Sequence, residues 1–178
     1  MINVELLTFG TTTVGLALID RSLPPRQSER EAARIVASYL LQRHVDIDHH
    51  HDGAPFISDF HGCVSISHSQ KYIAVAIDNQ RSIGIDIEDI DRAERMMRIA
   101  PRVLSPEEIH AYAEPQEQLR AWTLKEAAYK AARHGVNFLH HIQLPTDGSN
   151  VLVVCGDELS IIASEVRDDI VLSLVTIP

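Results

Sequence analysis

The stretch Gly84-Ile85-Asp86-Ile87-Glu88 sets two carboxylates two residues apart in an otherwise apolar run. In a β-strand alternate side chains share a face, so Asp86 and Glu88 stand together, about 7 Å apart at their Cα atoms, with Ile83, Ile85 and Ile87 facing the other way. Two anions so placed repel unless a cation or a proton lies between them. A hard divalent ion answers them economically, and Mg²⁺ usually keeps waters and substrate phosphates as its other ligands. The same spacing also fits two solvated residues of an edge strand. Further along, Trp122, Glu126 and Lys130 follow one another at i, i+4 and i+8, which makes one stripe down a helix. Periodicity alone reads that stripe as a core tryptophan and a surface ion pair worth a few tenths of a kcal/mol.

Ser67-His68-Ser69 closes an earlier apolar ribbon that contains Val64 and Ile66. As a hydrolase nucleophile and base it fails on geometry. Neighbouring strand residues point to opposite faces, and the chain has no G-x-S-x-G elbow. Arg92, Arg95, Arg98 and Arg102 recur three or four residues apart, and up to Pro101 that spacing lines one helical face. Such a face is either ordinary solvated surface or a dock for an acidic partner.

The elements that must position these groups form a pattern that recurs twice. Strands are expected at 2–9 and 12–19, joined at Gly10, then a helix over 24–45 with prolines at its start. Strands near 63–68 and 72–78 complete the first half. The second half opens with a strand at 82–88 and a basic helix near 91–100. "SPEEIHAYA" follows, with Ser105 as N-cap and Glu108 at the capping-box position. A long helix from Pro115 ends with Gly135 as C-cap candidate. Strands near 150–155, 159–165 and 169–177 close the chain. This order predicts an α+β fold, a pseudo-dimer of two similar α/β halves at 1–80 and 81–178, joined at the Asp78–Arg81 turn. A ligand is expected in the crevice between them.

Composition narrows the function. The chain has 178 residues, a net charge of −9 and two cysteines, Cys63 and Cys155. The acidic balance argues against nucleic-acid and anionic-membrane partners. The two distant cysteines fit a reducing cytosol rather than a disulfide framework, and no signal peptide or membrane segment is evident. A cytoplasmic protein, most simply a monomer, is expected.

"SISHS", "GIDIE", "RVLSPEE" and "WTLKEAAYK", in that order and spacing, resemble the 4′-phosphopantetheinyl transferases, above all the two-halved, surfactin-synthetase-activating type. The likeness is sharp over 63–130 and diffuse elsewhere. It implies transfer of 4′-phosphopantetheine from coenzyme A to a serine of an acyl or peptidyl carrier protein, with release of adenosine 3′,5′-bisphosphate. By that resemblance Asp86, Glu88 and Glu126 hold Mg²⁺ with the pyrophosphate, and Lys130 contacts the reacting phosphate. His68, with Ser67 beside it, contacts the coenzyme A phosphates, and Arg26 matches loosely a basic residue near the 3′-phosphate. Lys130 and His68 would offset phosphate charge. Glu126, or a metal-bound water near it, is the candidate base for the serine proton. Arg92, Arg95 and Arg98 become candidates for docking the carrier.

The match frays in two places. Many relatives carry a lysine where this chain has Ala54, and the neighbouring His49, His50 and His51 could supply positive charge when protonated. Relatives also often place a glycine earlier than "AARHG". The reading from another class is a non-catalytic coenzyme A or carrier-protein binding module of the same fold.

Overall fold

The computed structural model describes residues 3–133 and 135–177. Alternation of apolar and small residues builds a first antiparallel sheet from β1 (Val4–Phe9), β2 (Thr12–Leu18), β5 (Cys63–His68) and β6 (Tyr72–Asp78), in the order β1-β2-β6-β5. Helix α1 (Pro25–Leu40) covers its outer face. Ala32, Ala33, Val36 and Ala37 meet Ala17, Ile73 and Val75 there in one core. Gly15 makes that contact close, because a Cβ on it would come within 2.5 Å of Val36 Cγ1. A two-residue ladder, β3 (Asp48–His49) with β4 (Pro55–Phe56), holds the histidine loop as a small hairpin beside this sheet.

The second half is another antiparallel sheet, ordered β7-β11-β10-β9-β8. Its strands are β7 (Ile83–Asp89), β8 (Ile142–Gln143), β9 (Val151–Val154), β10 (Asp157–Arg167) and β11 (Ile170–Thr176). Helices α2 (Ala93–Ile99), α3 (Pro106–Ala111), α4 (Pro115–Ala132) and the single turn α5 (Phe138–His141) lie between β7 and β8 in sequence. Helix α4 packs on β7 and β11, and its buried side is rich in alanine: Ala121, Ala127, Ala128 and Ala131. The two sheets share a further core. Val14, Leu16, Ala74 and Ala76 of the first face Ile83, Ile85, Ile87, Leu172 and Leu174 of the second. The layers thus run helix, sheet, sheet, helix, a mixed α+β architecture with its cores in three sandwiched levels. No helix among the described residues is long and apolar enough to cross a membrane.

Three expectations shift. Helix α1 stops at Leu40 rather than 45, because Gln42 turns left-handed (φ 53°) and the Ser38 hydroxyl accepts from Val45 N–H. Helix α4 ends at Ala132, and the left-handed capping position is Arg133 (φ 56°), not Gly135. The basic helix is only seven residues, Ala93–Ile99, flanked by 3₁₀ turns at Ile90–Arg92 and Ala100–Arg102. The Ser105–Glu108 capping box is present, and both of its hydrogen bonds form.

Where the sheets join, Asp78 fixes the turn. Its carboxylate accepts from Thr11 Oγ1 (2.8 Å), Thr12 Oγ1 (2.7 Å) and the backbone N–H groups of Gln80 (2.8 Å) and Arg81 (2.9 Å). Burial alone would raise its pKa. The donors of Thr12, Gln80, Thr11 and Arg81 outweigh that and hold it at about 2, below the usual 3.8. A depressed carboxyl pKa contributes stability that is complete above the unfolded pKa and is lost as pH falls through the folded one. Stability should therefore drop by about 2 kcal/mol between roughly pH 4 and pH 2 on account of this group. Urea unfolding of Asp78→Asn should show a comparable loss at pH 7 and a flatter acid limb. An unchanged acid limb would show that the turn does not depend on this charge.

Candidate active site

β5 and β7 are both edge strands, and they lie side by side without backbone pairing. The serines of "SISHS" bridge them. Ser65 Oγ accepts from Ile85 N–H (3.0 Å) and Ser67 Oγ from Ile87 N–H (3.3 Å). Ser67 Oγ donates to Asp86 Oδ1 (2.7 Å), and Ser69 Oγ donates to Asp89 Oδ1 (2.8 Å). Because Ser65 and Ser67 alternate along β5 and Ser69 follows directly after it, all three reach the same neighbour. The Ser67 hydroxyl, expected at the coenzyme A phosphates, is buried and spent on Asp86.

On the other side of Asp86 stands α4. A Cβ on Gly84 would lie 1.9 Å from the carbonyl oxygen of Ala127 and 2.6 Å from the N–H nitrogen of Ala131. Only glycine lets the helix backbone sit this close to the strand. Lys125, immediately before Glu126, fixes the roll of the helix. Fully buried, its ammonium donates to Phe138 O and Ile142 O (2.8 Å each) and pairs with Glu108 Oε2 (2.8 Å). Burial pushes the Lys125 pKa down, and Glu108 opposes the shift. The same Glu108 carboxylate caps α3 and accepts from Leu144 N–H (2.8 Å). With Lys125 held on one side, Glu126 and Lys130 turn toward β7.

Of the predicted acidic residues, Asp86 meets Lys130 directly, and the charges of Asp86 and Glu88 both act on Glu126. Lys130 Nζ donates to Asp86 Oδ1 (2.8 Å) and to Ile85 O (3.0 Å). Arg92 holds Glu88 through Oε2. Burial raises the Glu88 pKa, with Asp86 adding to the rise while Arg92 and Trp122 oppose it. Glu126 is pushed up to about 7, by burial first and then by the charges of Asp86 and Glu88, against the pull of Lys130. Asp86 Oδ2 is buried with no hydrogen-bond partner among the described residues. Among the described residues no three His, Cys, Asp or Glu side chains are grouped tightly enough to enclose a metal ion as they stand. The chemistry of the set nevertheless fits a hard cation: Asp86, Glu88 and Glu126 offer carboxylate oxygens, and one of them, Asp86 Oδ2, is buried without a hydrogen-bond partner among the described residues.

His68 is not part of this cluster. It points to the α1 side of β5, half-exposed, with Nε2 3.6 Å from Glu29 Oε2. There it shares a cavity of about 920 Å³ with Arg26, Arg30, Arg34 and His49. Arg30 and Arg34 were missed in the sequence, although their i+4 and i+8 spacing from Arg26 could have found them. A second cavity, of about 720 Å³, lies between the 50–56 loop and the end of α4, with Ala54, Lys130 and Arg133 in its walls. His50 stacks on Phe56, with ring centroids 4.4 Å apart. Arg92, Arg95, Arg98 and Arg102 are all exposed.

Comparison with known proteins gives a consistent picture. The family described as the 4′-phosphopantetheinyl transferase superfamily matches residues 82–175, just over half of the chain. The chain is also similar to the 4′-phosphopantetheinyl transferase HetI of Nostoc sp. (strain PCC 7120), with 30% identity over 110 residues, which are 56% of this chain and 46% of that one. It therefore spans about half the length of that relative.

The close approach at Gly84 is testable by itself. Gly84→Ala must push α4 off β7 or distort both, which should cost about 3 kcal/mol. Equilibrium urea denaturation measures it, and a loss below about 0.5 kcal/mol would show that the contact is slack.

Proposed function

The chain belongs to the 4′-phosphopantetheinyl transferase superfamily, and we propose that it transfers 4′-phosphopantetheine from coenzyme A to the serine of an acyl or peptidyl carrier protein. The observation that carries this reading is the direct pairing of Lys130 from α4 with Asp86 from β7 at the seam of the two sheets, with Glu88 two residues along the same strand and Glu126 one turn before Lys130 on the same helix. Asp86, Glu88 and Glu126 would hold Mg²⁺, which when bound neutralises and orients the oxygens of the pyrophosphate.

The chain's own residues do the rest. The carrier serine oxygen attacks the phosphorus that bears the pantetheine. The bond from that phosphorus to the bridging oxygen breaks, and adenosine 3′,5′-bisphosphate leaves with the electron pair. Glu126 is the candidate base for the serine proton. Lys130, part-exposed and one turn beyond Glu126, can exchange Asp86 for a phosphate oxygen and offset its charge. Arg92 steadies Glu88. His68 and Arg26 take the phosphates of the nucleotide end in the cavity they share. Arg95, Arg98 and Arg102 offer the acidic carrier an exposed basic face.

The two halves, 1–80 and 81–178, read as copies of one plan. Each is an antiparallel sheet with a long helix on its outer side, so one chain supplies both walls of the cleft and a monomer suffices.

Incubation with coenzyme A, Mg²⁺ and an apo carrier, followed by mass spectrometry of the carrier, tests the proposal. The carrier should gain one phosphopantetheine, and Glu126→Gln should slow that gain by about a hundredfold or more. Coenzyme A binding without transfer would instead favour the non-catalytic binding module. The double variant Arg95→Glu, Arg98→Glu should raise KM for the carrier about tenfold or more while leaving KM for coenzyme A unchanged. An equal effect on both substrates would remove these arginines from the docking face.

A further inference from the structure

We infer that Ser67 is a positioning residue for Asp86. Its hydroxyl, reaching from the first half into the second, assigns Oδ1 of that carboxylate to the protein and leaves Oδ2 as the single oxygen offered to a metal ion, which favours Mg²⁺ over Ca²⁺. The inference rests on the transferase reading, in which Asp86 is a metal ligand. An aspartate cannot set its own carboxylate plane, because rotation about its last bond is broad and roughly two-fold. Neighbouring donors must set it. Two of them converge on one oxygen: Ser67 Oγ (2.7 Å) and Lys130 Nζ (2.8 Å) both donate to Asp86 Oδ1. Oδ2 is buried and has no hydrogen-bond partner among the described residues. A buried oxygen left in that state costs free energy that a bound cation would recover.

The two donors are not equivalent. Lys130 is part-exposed, and in the proposed reaction it gives up Asp86 for a phosphate oxygen. Ser67 is buried. Its oxygen accepts from Ile87 N–H (3.3 Å), so its one proton is directed away from that amide and onto Asp86. Once Lys130 has moved, Ser67 is the remaining side chain that holds Oδ1 among the described residues. The consequence is for metal choice. A carboxylate with one oxygen engaged by a hydroxyl offers the other singly, whereas a freely turning carboxylate can offer both. Ca²⁺ accepts carboxylates through both oxygens in a flexible shell, and Mg²⁺ demands near-octahedral geometry with fewer ligands. Ser67 therefore tunes the ion from behind its ligand, as outer partners of metal ligands do. Ser65 provides the control. Its oxygen accepts from Ile85 N–H (3.0 Å) in the same seam, and among the described residues it makes no hydrogen bond to a carboxylate.

Calorimetric titration of Mg²⁺ and of Ca²⁺ into the protein saturated with coenzyme A, corrected for the same titration into coenzyme A alone, reads this without turnover. Ser67→Ala should weaken Mg²⁺ binding about tenfold or more. Ca²⁺ binding should fall less than about threefold, so the preference for Mg²⁺ narrows. Ser65→Ala, which loosens the same seam, should leave the preference unchanged. If Ser67→Ala does not fold, Ser67→Cys fills the position with a weak donor and is held to the same expectation. A parallel loss for both ions, or an equal narrowing in Ser65→Ala, would mean that the hydroxyl only ties the strands together. Either result overturns the inference while the transferase reading stands, and so does unchanged Mg²⁺ affinity in the Ser67 variant. If coenzyme A does not bind, or its complex with the unaltered protein takes up no Mg²⁺, the reading beneath falls as well.

Discussion

The site exists because a helix can approach a strand almost backbone to backbone. At Gly84 there is no room even for a methyl group beside the Ala127 carbonyl. The alanines at 121, 127, 128 and 131 repeat the same economy along the buried side of α4. Interiors are close-packed and resist added volume, so a helix seated this tightly cannot drift. Lys125 then fixes its rotation. The lysine is buried beside Glu108 and two backbone carbonyls, an arrangement that stabilises little in net terms but whose rupture leaves an unpaired charge in the core. Neither Gly84 nor Lys125 belongs to the acidic cluster, yet between them they set where Glu126 and Lys130 stand against Asp86.

That placement works against the local electrostatics. Asp86 adds its charge to the burial of both Glu88 and Glu126, and both have raised pKa values. A group held away from its comfortable protonation state is a common mark of a functional site, because the rest of the fold must offset the cost. Here Arg92, Lys130 and the Ser67 hydroxyl share the offset, and Asp86 Oδ2 is still left without a partner among the described residues. The arrangement favours whatever brings positive charge to the cluster, which is a property a phosphate-handling enzyme can use.

Much of this was legible in the sequence, and the reason differs by element. Large apolar side chains alternating with smaller or polar ones marked β5, β6 and β7, and β6, β7 and β11 prove buried on both faces, between a helix and the other sheet. The capping box marked α3 because Ser105 and Glu108 act locally. The carboxylate pair and the i, i+4, i+8 stripe were visible for the same reason, since spacing along one element is a one-dimensional fact. What could not be read was how elements meet. Ser67 looked like a ligand contact, because nothing in the chain reveals that β5 and β7 would be neighbouring edges. Glu108 looked like a cap alone, since its second partner, Lys125, comes from another helix. The end of α4 was misplaced because Arg133 adopts a left-handed conformation that glycine, two residues on, seemed to claim. The short β3–β4 hairpin was missed because its two-residue strands carry no period at all.

The seam between the sheets shows why binding should fall there. Had β5 and β7 exchanged backbone hydrogen bonds, the two sheets would have become one continuous surface with no crevice. Serine hydroxyls at 65, 67 and 69 take up the free N–H groups and acids of β7 instead. An exposed strand edge is thereby quenched without being extended. The strands are held at side-chain distance, and a groove follows the join. Its walls come from different halves: the 50–56 loop and β5 on one side, the start of β7 and the end of α4 on the other. A ligand lying in that groove is held by both halves at once, so its position is fixed before any catalytic group acts.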